Sequence, residues 1–217
     1  MRIPVLTYHA MNISGSDYAS NDHVALAEDL ELLARLGVAV VPLARVVDAL
    51  VDPGIELPRR AVALTCDDGS WFDWYDLDHP TVGPVRSFAR LLREARSRHG
   101  GVLVGASMSS FVIVDPAVRA VLDRTCMIGR DWWGDDWWAA ACAEGVVTIE
   151  NHSLDHNHAT LERTAQRHGV KGTFRNIETE EEADREIAAA QEYLFGACAP
   201  YRPRLFAYPY GECSEFL

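Results

Sequence analysis

Ala61-Val62-Ala63-Leu64-Thr65-Cys66-Asp67-Asp68-Gly69 is a largely apolar run that ends abruptly in two carboxylates and a glycine. A short run of this kind closed by a turn signal is the pattern of a strand buried on both faces, as parallel sheets require. Asp-Asp-Gly is also a natural turn sequence. From this stretch alone the acidic pair is either a solvated turn or chemistry mounted at a strand end.

The chain on either side repeats the alternation. Ile3 to Tyr8 reads as a strand with His9 at its end. Val24 to Leu36 has a helical pattern stopped by Gly37, where a left-handed cap costs little. Val38 to Val41 is a further apolar run, and Leu43 to Leu50 continues as a second helix. Downstream, Val85 to Arg98 reads as a helix and Val102 to Ala106 as a strand. Asp115-Pro116 reads as a helix start, with Asp as N-cap and Pro in the first turn. Asp135 to Ala143 is expected to be helical and closed by Gly145, and Val146 to Glu150 is a strand that feeds Asn151-His152. Glu180 to Leu194 is a helical run ended by Gly196, and Leu205 to Tyr208 is the last strand. About six strands interleaved with about six helices fit an α/β fold, either a barrel or an open sheet. With no repeat and no linker stretch, residues 1–217 are expected to form one domain.

The polar residues separate these strands. His9, Asp67, Asp68, His152 and Tyr210 fall at or just past the C-terminal ends of expected strands, and in parallel α/β folds those ends share one rim. In extended geometry Asp67 and Asp68 point to opposite sides, so one can face a metal while the other faces a water. His152 and His156 stand four apart; if the loop turns helically, both imidazoles can share an ion. Two imidazoles and one carboxylate suit a catalytic Zn²⁺ or a related divalent ion. His158 fits that geometry less well at two residues' spacing. His23, His79, His99 and His168 read as surface histidines, and His9 as a pocket residue or a satisfied structural one.

Composition narrows the partners. The 217 residues are 48% hydrophobic and 24% charged, ordinary for a globular protein. A formal charge of -12 without a dense Lys/Arg patch argues against a nucleic acid or an anionic membrane as the main partner. No segment reaches the roughly 18 apolar residues of a membrane span. The opening Met1 to Met11 resembles no secretory leader, so a cytoplasmic location is expected. Five cysteines without a Cys-x-x-Cys spacing read as buried reduced thiols.

Thr65-Cys66-Asp67-Asp68-Gly69 resembles the first motif of the polysaccharide deacetylase family, the NodB-homology or carbohydrate esterase family 4 group. Asn151-His152-Ser153-Leu154-Asp155-His156 resembles the second, and Pro4 to His9 resembles the first strand of many members. The resemblance implies a distorted or incomplete (β/α) barrel. It also implies Asp67 as general base, Asp68, His152 and His156 as metal ligands, and removal of N-acetyl or O-acetyl groups from carbohydrate. Phe206-Ala207-Tyr208-Pro209-Tyr210-Gly211 resembles the third motif, with Ala207 where an arginine commonly orients the base, and it implies that the Tyr210 backbone N–H helps hold the oxyanion. Arg202 or Arg204 could stand in for that arginine, or both could be solvated. The sequence stops at Leu217, short of the family's fourth and fifth motifs. Either the domain extends further or another residue, His9 or His79, protonates the leaving group.

Aromatic residues crowd two places. Trp71 and Trp74 follow the acidic pair and, with His9, are expected to contact substrate, with Asp73, Asp76 and Asp78 bonding hydroxyls from a loop over 73–84. Trp137 and Trp138 are expected to pack in the core. Hydrolysis of a small linear or cyclic amide, or carbohydrate binding without catalysis, are the competing functions.

Overall fold

Val5–His9 forms strand β1, and Asn21 then starts helix α1 (Asp22–Leu36) by accepting the N–H groups of His23 at 2.9 Å and Val24 at 3.4 Å. Gly37, at φ 63°, ends it in the left-handed cap expected of glycine. Strand β2 (Ala39–Val40), helix α2 (Leu43–Val51) and strand β3 (Ala61–Asp67) follow. Every residue of β3 before Asp67 is buried, which is why the run carries no alternation. A hairpin of β4 (Leu77–His79) and β5 (Gly83–Val85) precedes helix α3 (Phe88–Arg98), a helical turn α4 (Gly100–Leu103) and strand β6 (Met108–Val112). Helix α5 (Pro116–Cys126), helix α6 (Trp138–Glu144) and strand β7 (Val147–Asn151) come next. The chain continues through a small hairpin, β8 (Gln166–Arg167) and β9 (Val170–Lys171), to helices α7 (Glu180–Ala183) and α8 (Ala189–Ala197).

The structure, a computed structural model, describes residues 2–217. Strand pairing runs in the order β1-β3-β6-β7, with β2 also on β3. The β1, β2 and β6 pairings with β3 are all parallel. Among the described residues the path does not return to its start, so the sheet is open: the expected incomplete barrel takes the form of an open parallel sheet with crossover helices. Among the described residues, no helix is long and apolar enough to cross a membrane.

Internal contacts divide the chain into two units, residues 1–110 with 140–148, and residues 111–139 with 149–217. In the first, Leu26, Leu64, Phe72, Phe88, Leu92 and Met108 are buried, and Val41, Val46, Ala61 and Ala63 form a cluster at the start of β3. In the second, Ile113, Val118, Leu122, Trp133 and Leu161 pack together, and Trp137 and Trp138 are buried as expected. Arg119 is buried there too, donating to the Trp133 carbonyl and to Asp135, both at 2.8 Å, with its guanidinium 4.8 Å from the Trp138 ring centroid.

Several boundaries differ from expectation. The strand expected at 102–106 is β6, six residues later, because its polar members are satisfied inside: the Ser109 hydroxyl pairs with Thr148 and that of Ser110 with Asp73. The apolar residues at 102–104 straddle α4 instead. Helix α3 begins only at Phe88, where Ser87 caps it by accepting the Arg90 N–H, and the β4–β5 hairpin takes up most of the 73–84 loop and ends one residue past it, at Val85. Helix α6 begins three residues later than expected, at Trp138. The run from Glu180 is broken by a π-helical turn at Asp184–Ala188 and passes Gly196 to end at Cys198. The last strand reduces to one parallel bridge between Asn151 and Phe206. Cys66, Cys142 and Cys198 are buried thiols, whereas Cys126 and Cys213 are exposed. His23 and His79 are buried rather than surface residues; His23 bonds the carbonyls of Arg86 and Ala10.

Candidate active site

In the first unit, parallel pairing sets His9 of β1 opposite Asp67 at the end of β3. His9 is exposed, and its N–H donates to Asp22 at 2.7 Å. Asp68 does not continue the strand: its φ is 72°, and Gly69 follows at 69°. Strand alternation therefore does not relate the two acidic residues, because the backbone turns left-handed at Asp68. Ser70 then caps a short turn, Trp71–Asp73, in a reciprocal arrangement with Asp73.

Asp73 was expected to meet substrate hydroxyls, but it is fully buried. Its carboxylate accepts from the Ser110 hydroxyl at 2.6 Å, the Cys66 thiol at 3.4 Å and the Ser70 N–H at 3.4 Å. Burial pushes its pKa up to about 6 and raises that of the Cys66 thiol. Asp76 is likewise committed to Ser87 and Arg90, while Asp78 is exposed. Trp71 is half-buried, edge-on to Tyr75, and Trp74 carries the Arg93 guanidinium 4.5 Å from its ring centroid. His79 packs on Phe72, and its Nδ1 accepts from Thr81; burial lowers its pKa.

In the second unit, the loop after β7 brings the rings of His152 and His156 to 4.9 Å between centroids. It does so without the expected helical turn. Ser153, His156 and Asn157 have φ of 71°, 62° and 44°. Local side-chain bonds hold this path, with Asn151 accepting the Ser153 N–H, Ser153 the His156 N–H and Asp155 the Asn157 N–H. The Tyr210 ring stands edge-on to His156 at 4.4 Å. His158 is 6.2 Å from His156, and its Nδ1 bonds Thr160 within its own turn.

The third motif is fastened along β7. The buried Glu150 carboxylate accepts the N–H groups of Arg204 and Leu205, both at 2.8 Å, and the Tyr201 hydroxyl. Asn151 donates its N–H to the Leu205 carbonyl and accepts that of Ala207. The Ala207 carbonyl then accepts Nδ1–H of His152 at 2.9 Å. In neutral imidazole this places the lone pair on Nε2, the arrangement of a metal-binding histidine oriented by a backbone carbonyl. Arg202 is exposed and lies over Phe195. A groove of about 830 Å³ lined by Tyr210, Thr173, Arg175 and Phe216, among others, lies in the same unit.

The family model described as polysaccharide deacetylase matches residues 54–216. The chain belongs to the polysaccharide deacetylase family. Solved structures similar to it include a Streptococcus pyogenes deacetylase, PplD, in complex with acetate, at 16% identity and TM-score 0.63 over 100% of this chain and 77% of that one. IcaB from Ammonifex degensii is similar at 21% identity and TM-score 0.66, over 99% and 76%. The BpsB deacetylase domain from Bordetella bronchiseptica is similar at 14% identity and TM-score 0.64, over 99% and 82%. Identities this low establish a shared fold. No curated protein matches the chain.

The buried, bracing role of four acids in this polysaccharide deacetylase family member, Asp73, Glu150, Asp155 and Glu186, is not legible in its sequence. Isolated acidic residues look like surface, and several of their partners, Ser110 for Asp73 and Leu205 for Glu150 among them, lie far off in sequence. Only the short Ser70-x-x-Asp73 capping spacing offered a signal.

Proposed function

We propose that the chain is a metal-dependent hydrolase that removes N-acetyl groups, or O-acetyl groups, from a carbohydrate, with residues 1–217 acting as one catalytic domain. The observation that carries this reading is the His152–His156 pair, whose rings stand 4.9 Å apart between centroids; Asp68, at the left-handed turn after β3, is the third donor of the proposed set. One carboxylate and two imidazoles match a catalytic Zn²⁺ site that keeps positions for water and substrate. The His152–Ala207 bond supports the fit by fixing the tautomer that binds metal. A divalent ion, most suitably Zn²⁺, supplies Lewis acidity, lowering the pKa of water and polarising a carbonyl.

The chain's own residues supply the rest. Asp67 takes the proton of the attacking water. The backbone N–H of Tyr210 donates to the oxygen that gains charge as the carbonyl carbon becomes tetrahedral. His9, exposed and opposite Asp67 in register, returns a proton to the departing sugar nitrogen or oxygen. His79 is the poorer acid because burial favours its neutral form. Trp71, Trp74 and His9 meet the sugar, with the Arg93 guanidinium over the Trp74 ring. Acetate and the deacylated sugar are the products.

The deacetylases among the similar folds, one of them described with acetate, support acetyl as the acyl group. The test is acetate release from N-acetylated and O-acetylated oligosaccharides by the chain loaded with Zn²⁺ or Co²⁺. Release that disappears in Asp67→Asn is expected. A folded, metal-loaded chain that releases no acetate from either set rejects the reading.

A further inference from the structure

The helical run after Thr179 departs from α geometry at one place. Over Asp184–Ala188 it is π-helical, with the Ala189 N–H reaching back five residues to the Asp184 carbonyl. Such turns are uncommon and concentrate at functional sites, because the wider turn redirects side chains and carbonyls that an α-helix would keep to itself. Here the redirected groups meet the loop that carries the two histidines. The Glu186 carbonyl accepts the Leu154 N–H at 2.9 Å, and the Glu186 carboxylate accepts the Asp155 N–H at 3.3 Å. The Ile187 carbonyl accepts the Asn151 amide at 3.1 Å. The loop is thus held before His152 and between the two histidines by three acceptors from one helical turn.

Glu186 is fully buried, with Arg185 at 3.0 Å on its other oxygen. Asp155 is also fully buried and is held by Arg163 at 2.6 Å. Burying two carboxylates for packing alone is costly. A loop with left-handed backbone at Ser153, His156 and Asn157 needs external bonds to stay in one conformation.

We infer that Glu186, presented by the π-helical turn, is a positioning residue for the His152–His156 pair, holding the loop between them through its carbonyl and its carboxylate. The inference rests on the metal-site reading above. Glu186 touches neither substrate nor ion; it acts by keeping two imidazoles at one separation, which lowers the reorganisation needed to bind an ion.

The experiment is Co²⁺ titration of the full chain, followed by the visible absorption of the bound ion, with unfolding midpoints measured in parallel. Glu186→Ala is expected to weaken Co²⁺ binding roughly 10- to 100-fold, as loss of outer partners of metal ligands does, and to shift the absorption bands. Glu186→Gln is expected to recover most of the affinity, because an amide oxygen still accepts the Asp155 N–H. Leu122→Ala, in the core cluster of the same unit, controls for lost stability and should bind Co²⁺ like the parent. If Glu186→Ala does not fold, Glu186→Asp, whose carboxylate is drawn back by one methylene, carries the same readout. Unchanged affinity and spectrum in a folded Glu186→Ala or Glu186→Asp overturns the inference. So does an equal loss in Leu122→Ala. The two readings fail separately: Co²⁺ binding that survives His152→Ala removes the metal site and this inference together, whereas binding lost in His152→Ala but intact in the Glu186 variants removes the inference alone.

Discussion

The imidazole of His152 donates through Nδ1 to the carbonyl oxygen of Ala207 at 2.9 Å. A residue whose side chain offers no chemistry thereby sets the tautomer of a histidine 55 positions away. The third motif, in which Ala207 stands where an arginine is common, contributes through its main chain.

If Nε2 of His152 is turned to an ion in this way, replacing any of the three donors should weaken metal binding by more than the roughly 10–100-fold typical of outer partners. Calorimetric titration with Zn²⁺ is expected to show that loss in Asp68→Ala, His152→Ala and His156→Ala, while Asp67→Asn keeps most of the affinity. Equal affinity in all four variants would sink the assignment.

Asp73 should make stability depend on pH in a direction opposite to that of an ion-paired acid. Its folded pKa, about 6, lies above the ordinary 3.8 because burial disfavours the carboxylate. The stability it contributes is fully present below pH 3.8 and is lost as pH rises through about 6, a change of about 3 kcal/mol. Urea unfolding of Asp73→Asn and the parent across pH 4 to 7 should show the variant gaining on the parent as pH rises. A difference independent of pH would mean that Asp73 is ionised throughout.

Two glycines with left-handed backbone should respond unequally to alanine. Gly37, at φ 63°, has nothing within 4 Å of an added Cβ, so Gly37→Ala should cost only the backbone term of about 1–2 kcal/mol. At Gly172, φ 76°, the new Cβ would lie 2.5 Å from the Ala159 Cβ and 2.9 Å from its Cα. Overpacking against main chain adds about 1–3 kcal/mol. Thermal unfolding of the pair should rank Gly172→Ala well below Gly37→Ala.

Arg119→Met should lower the unfolding free energy by about 1–3 kcal/mol, the usual cost of leaving a buried polar group without its partner, because Asp135 is a third exposed and keeps the Tyr193 hydroxyl. The substitution leaves the Trp133 carbonyl without this donor and Asp135 without this cation. Arg119→Lys, which keeps the charge but not the fork, should recover part of the loss.

The elements legible in the sequence were those whose pattern and punctuation agree. Ala61–Asp67 is apolar up to its acidic end, and helix α1 ends at a glycine. Asp115-Pro116 starts a helix because Asp accepts the N–H groups of Ala117 and Val118, as that pairing predicts. Strand β6 was hidden because Ser109 and Ser110 find hydroxyl and carboxylate partners inside the fold. The left-handed turn at His156 and the π-helical turn at Glu186 were hidden more deeply. Neither position carries glycine or proline, and both conformations depend on bonds to distant segments.

The left-handed residues also bear on how this chain can change over generations. Asp68, Ser153, His156 and Tyr210 hold φ between 61° and 72°, a region that costs a non-glycine residue about 1–2 kcal/mol. Selection for thermal robustness alone would favour glycine at each of them, yet glycine at 68 or 156 would delete a carboxylate or an imidazole. On the proposed metal site, robustness and chemistry therefore compete for the same codons at 68 and 156, and variants made sturdier there would hold the ion less well.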